Sequence, residues 1–195
     1  MTNRPTLTPG ALRDTPALIE SVFPVQKVSH EAQRERKANL YQTLTGLGSY
    51  WKGRKPLILV RAIVLGVLLP QTDDPERDLE VFEKLMGFDP EGLARRAFVA
   101  DGVKPHEMAK RITLADPWAF FTAKVKGEEP KEGPLAYWTF PLDCDERGIT
   151  LRWRRDIEPE RKLELYRRYV ATLDSYEQRS DLGKRAEEVE AAWLF

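Results

Sequence analysis

The run from Leu57 to Leu69 constrains this chain more than any other stretch. It is almost wholly apolar, with Pro56 before it and Pro70 after it. A helix apolar on every side has to be buried on every side. One cation, Arg61, stands inside the run. Its guanidinium keeps its proton, so it needs an acceptor or a route to water, and it is expected to act as a structural anchor. Immediately upstream lies Tyr50-Trp51-Lys52-Gly53-Arg54-Lys55, a basic and aromatic loop containing a glycine. Joined to a buried helix, that loop is expected to be held rigidly and to point its cations outward, toward an anionic partner.

Bulk charge identifies no partner, because the 195-residue chain is neutral overall. Its distribution says more. Between Lys27 and Arg61 eight Lys/Arg face two Glu, a balance of +6; between Gln71 and Glu91 eight Asp/Glu face two Lys/Arg, a balance of −6. Such neighbours either neutralise each other within the fold or present two faces. Cys144 is the only cysteine, so no internal disulfide forms, and His30 and His106 alone offer no metal-ligand spacing. Residues 57–69 are too few to span a bilayer, no signal peptide is visible, and the chain reads as cytoplasmic with no membrane partner.

Periodicity predicts a mainly α-helical fold with one small antiparallel β-hairpin. Residues 1–10 read as a disordered arm, and 11–195 as a single domain: a helical core over 11–123, a hairpin over 135–155 and C-terminal helices over 158–195. Helices are expected over Ala11–Val22 and, capped by Ser29, to about Leu44. Asp74-Pro75, Asp89-Pro90 and Asp116-Pro117 each place a capping carboxylate before a proline at the first helical position. Leu79, Phe82, Leu85 and Met86 form the expected inner stripe of the first of these helices, which Gly87 ends. Alternation at Ala136–Leu142 and Leu151–Trp153 predicts the hairpin strands. A helix over Pro159–Gln178 turns Leu163, Tyr166, Tyr169, Val170 and Leu173 inward, and another begins near Asp181. The apolar end, Trp193-Leu194-Phe195, is expected to bind a partner or to continue into a longer polypeptide.

No motif points to catalysis by this chain alone. Asp89-Pro90-Glu91-Gly92 and Asp116-Pro117-Trp118 superficially resemble methyltransferase motifs, but the first lacks the glycines of a cofactor loop and the second lacks a second proline. The acidic neighbours of Cys144 disfavour a reactive thiolate. Nucleic-acid contact has better support. Trp51 with Lys52, Arg54 and Lys55 combines a stacking surface with three cations, and Arg152 and Arg154 flank Trp153 on one strand face. The competing reading is a solvated strand face and a loop that pairs with the acidic segment 71–91.

Leu18-Ile19-Glu20, Phe23-Pro24, Val28-Ser29, Arg34-Glu35-Arg36-Lys37, Trp51, Arg54-Lys55-Pro56-Leu57, Arg61-Ala62 and Leu68-Leu69-Pro70 carry a resemblance. Together they resemble the N-terminal domain of unknown function of large adenine-specific DNA methylases, some of which occur in phage-defence gene clusters. The resemblance covers residues 18–70. Many relatives have two tryptophans and two arginines where this chain has Tyr50-Trp51 and Arg54-Lys55, and a histidine-rich stretch where it has Ala38-Asn39-Leu40-Tyr41. The family's cofactor loop and catalytic motif lie further downstream and have no counterpart here, so no catalytic residue is carried over. The resemblance implies a non-catalytic module or fragment whose parent enzyme uses S-adenosylmethionine, with DNA and a catalytic domain or subunit as partners. This chain itself would hold no cofactor. The alternative is a protein-interaction subunit of a bacterial defence complex with no nucleic-acid contact.

Overall fold

The computed structural model describes residues 15–37, 56–125 and 149–183. The expected arm at 1–10, the loop Trp51–Lys55, the strand Ala136–Leu142, Cys144 and the end Trp193–Phe195 lie outside the described residues. The fold is mainly α-helical with one two-stranded antiparallel sheet. The described residues fall into two compact units, one running to Asp89 and the other starting at Pro90. None of the described helices is long and apolar enough to cross a membrane.

The first unit holds α1 (Leu18–Ser21), α2 (Val25–Lys37), α3 (Leu57–Leu68) and α4 (Pro75–Met86). Two of these start later or earlier than periodicity suggested. The expected helix over Ala11–Val22 is, among the described residues, the single turn of α1. Residues just before it are extended instead, with the Leu18 N–H donating to the Leu69 carbonyl at 2.9 Å and the Gln71 N–H to the Pro16 carbonyl at 2.8 Å. The chain entering α1 is thereby paired with the chain leaving α3. α2 begins directly after Pro24, so Ser29 is an exposed interior residue rather than a cap.

α3 and α4 start where Pro56 and the Asp74-Pro75 pair predict. The Asp74 carboxylate accepts from the Arg77 N–H at 3.0 Å, and Gly87 closes the far end with φ +66°, the left-handed geometry that a glycine adopts without penalty. Buried Asp78 accepts from both the N–H and the hydroxyl of Thr72 at 2.8 Å, pinning the connection from α3. Phe82 and Met86 point inward, but Leu85 is exposed, a correction to the expected stripe.

The second unit holds α5 (Pro90–Ala100), α6 (Pro105–Arg111), strands β1 (Phe121–Val125) and β2 (Ile149–Trp153), α7 (Pro159–Ala171) and α8 (Tyr176–Asp181). Its core joins Val103, Met108, Phe121, Leu151, Leu163, Leu165, Tyr166 and Tyr169. Asp116-Pro117 starts only one 3-10 turn, Pro117–Ala119, after which the chain becomes a strand. β2 contains the predicted Leu151–Trp153, but its partner among the described residues is β1, with Phe121 opposite Trp153 and Ala123 opposite Leu151. That pairing puts four inward side chains from two strands on one core face. The five residues that periodicity predicts are all buried, but α7 stops at Ala171 rather than Gln178, so Leu173 lies past its end, and Leu165 is buried on it as well. Ser175 caps a new helix there, accepting from the Gln178 N–H at 3.2 Å.

Candidate functional site

The most defined feature of the first unit is the start of α3. The Glu35 carboxylate, on α2, accepts from the Leu57 N–H at 3.0 Å with one oxygen and from the Ile58 N–H at 3.1 Å with the other. Free N–H groups and the positive end of the helix dipole both favour an anion at that position. Pro56 is buried beside it. The residue after Lys55 is therefore a fixed point, and the segment containing Trp51, Lys52, Arg54 and Lys55 ends on it.

Arg61 finds its acceptor in the neighbouring helix. Its Nη2 donates to the Leu85 carbonyl at 2.6 Å, in the last turn of α4, where carbonyls lack intrahelical partners. Part of the opposite-charge arrangement read from the sequence is also closed within the fold: Lys27 on α2 pairs with Glu83 on α4. On α2 the Glu31 side chain is 1% exposed and lies 3.8 Å from Arg34.

The expectation that α3 is buried on every side does not hold. Ile58, Ala62 and Gly66 face inward, and Ala62 is fully buried. A Cβ on Gly66 would stand 3.1 Å from Ile19, so α1 and α3 pack closely there. Val60, Ile63, Val64, Val67 and Leu68 instead remain between 43% and 66% exposed. Among the described elements, α1, α2 and α4 pack against α3.

In the second unit Arg152 lies on the exposed face of β2, opposite Thr122, while Leu151 and Trp153 turn into the core. Arg154 follows the strand end. Its guanidinium forks onto Asp156, with Nε to Oδ1 at 2.9 Å and Nη2 to Oδ2 at 2.7 Å, and that pairing holds the Asp156 carboxyl below its ordinary range. Arg152 thus presents its charge outward, and Arg154 spends its fork on a neighbouring carboxylate.

A polar cluster that the sequence did not signal sits at the end of α5. Asp101 takes a left-handed backbone, φ +47°, and accepts from the Tyr166 hydroxyl at 3.0 Å and from Lys162 Nζ at 2.8 Å. Lys162 Nζ also lies 4.7 Å from the centre of the Trp153 ring and 5.8 Å from that of Phe98. Burial pushes the Tyr166 hydroxyl well above its usual range, with the Asp101 charge adding to the shift. Tyr166 is therefore a donor at every physiological pH. The cluster ties the end of α5 to α7, with the Asp101 side chain 62% exposed. The Asp101-Gly102 dipeptide is the one sequence cue that could have found it. No group of three or more His, Cys, Asp or Glu with metal-binding geometry occurs among the described residues.

No curated protein and no solved structure matches the chain. Residues 22–85, which run from just before α2 to the last turn of α4 and include the clamped start of α3, match the family model described as a protein of unknown function, DUF1156.

Proposed function

We propose that this chain is a non-catalytic module of an S-adenosylmethionine-dependent, adenine-specific DNA methyltransferase, and that it contacts DNA through Trp51, Lys52, Arg54 and Lys55. One observation carries the reading. The Glu35 clamp and buried Pro56 fix the residue that directly follows that basic segment in the sequence. The methylase resemblance, over residues 18–70, overlaps the family match at 22–85 and supplies the substrate class. Arg152 offers a further exposed cation.

DNA binding measured across salt concentrations tests the proposal. Replacing Arg54 and Lys55 with alanine is expected to weaken binding and to flatten the slope of log affinity against log salt by about 2, since each phosphate that a cation neutralises adds roughly 0.9 to that slope. An unchanged slope rejects the phosphate contact. The exposed face of α3 favours a second reading, a protein-interaction subunit of a defence complex. Under that reading, alanine at 54 and 55 changes nothing, while a charge placed on α3 disrupts assembly.

A further inference from the structure

The outward face of the β1–β2 ribbon is polar and free of acid. Alternation sends Phe121, Ala123, Leu151 and Trp153 into the core, so Thr122, Lys124, Thr150 and Arg152 take the opposite register positions. Thr122 stands across from Arg152 and Lys124 across from Thr150, so each cross-strand pair joins a hydroxyl residue to a basic one. Neither strand contains Asp or Glu. Thr122 is half-buried, and Thr150 and Arg152 are exposed. Elsewhere in this unit Arg154 is held by Asp156 and Arg167 by Glu91. The Arg152 side chain meets no carboxylate among the described residues.

We infer that this ribbon enters the major groove of duplex DNA and turns Arg152 and Thr150 toward base edges. Charge complementarity selects the partner, because two basic positions with no acidic one suit a groove walled by phosphates. The major groove, about 12 Å wide, admits a two-stranded ribbon, and Arg and Thr are side chains that hydrogen-bond base edges there. Residues on one strand face repeat about every 6.8 Å, close to two base-pair steps, so Arg152 and Thr150 reach different base pairs. Phe121, Ala123 and Leu151 are buried beneath, so the core holds the ribbon in shape before it meets a partner. The inference rests on the DNA reading above and adds base contact to backbone contact, through a surface separate from Trp51–Lys55.

Two duplexes of the same sequence, with a central block of G·C pairs in mixed order, test it. One is ordinary; the other carries glucosylated 5-hydroxymethylcytosine in place of cytosine. The sugar fills the major groove beside every guanine edge and leaves the phosphates and the minor groove unchanged. Titrated at low salt and read by fluorescence anisotropy, the full chain is expected to bind the open duplex about tenfold tighter, the range for one arginine–guanine pair. Arg152→Ala should remove most of that difference by weakening binding to the open duplex alone. Arg152 is exposed, so the variant should keep its circular dichroism. Lys104→Ala, at an exposed cation just before α6, should leave the ratio unchanged. Equal binding to the two duplexes overturns the inference and leaves the phosphate contact of Arg54 and Lys55 standing. A ratio that survives Arg152→Ala overturns it as well. Absence of binding to either duplex overturns both readings. A ratio that persists while alanine at 54 and 55 leaves the salt slope unchanged supports the ribbon and rejects only the loop contact.

Discussion

Glu35 accepts a hydrogen bond from the Leu57 N–H at 3.0 Å, so a carboxylate on α2 closes the first turn of α3. Removing it frees two N–H groups at once, because Ile58 shares the same cap. Glu35→Ala is expected to cost about 1–2 kcal/mol, the usual range for a missing N-terminal cap with its dipole interaction. Glu35→Gln keeps one acceptor oxygen and should cost less. Amide hydrogen exchange at Leu57 and Ile58 reads the effect directly. Unchanged protection in the alanine variant would show that the cap contributes nothing.

Asp101 occupies a position where helices usually end on glycine. The Gly102 N–H reaches the Ala97 carbonyl at 3.0 Å and the Asp101 N–H reaches Phe98 at 3.1 Å, the bond pair of a left-handed helix stop. Asp101→Ala keeps the backbone cost and removes the acceptor for Tyr166, an expected loss of about 2 kcal/mol. Asp101→Gly removes the acceptor but relieves the backbone, so it should be about 1 kcal/mol less damaging. Tyr166→Phe should cost less in the Asp101→Ala background than in the parent, because only the hydroxyl's contact with the Val103 backbone is then left to lose. Urea denaturation of the single and double variants completes that cycle.

Glu91 links acid sensitivity to one arginine. The hydrogen bonds from Arg167 are the main reason its carboxyl titrates below the ordinary 4.5; burial opposes the shift, and Arg95 adds to it. A depressed carboxyl stabilises the fold above its unfolded value and loses that contribution as pH falls through the folded one. The window therefore opens at 4.5 and extends downward. Glu91 is two-fifths exposed, so solvent screening keeps the effect to under about 1 kcal/mol. Arg167→Gln should lower the melting temperature at neutral pH and make the acid limb shallower. Parallel melting curves against pH for the two proteins would refute the link.

Three glycines separate close approach from backbone strain. A Cβ on Gly102 would fall 1.6 Å from the Leu182 carbonyl oxygen, and one on Gly183 would fall 2.7 Å from Arg96 Cβ. Alanine at either position forces backbone apart and should cost about 2–3 kcal/mol, in the range for overpacking. Gly87 has open space around it but a positive φ, so Gly87→Ala should cost about 1 kcal/mol. Thermal denaturation should place Gly87→Ala nearest the parent.

Local chemistry determined what the sequence alone made legible. Proline after an acidic residue starts α4 and α5, a left-handed glycine ends α4, and apolar spacing marks α3 and the buried face of α7; each signal acts within one or two turns of helix. The mainly helical class follows from them. Tertiary structure decided the rest, because those outcomes depend on residues distant in the chain. Glu35 caps a helix 22 positions away, β2 pairs with Phe121–Val125, and Asp101 is held by two side chains of α7. The apolar run of α3 shows the division most plainly. Composition asks for burial on every side, but how many sides are covered is set by how many neighbours the fold supplies, and here they leave Val60, Ile63, Val64, Val67 and Leu68 facing water.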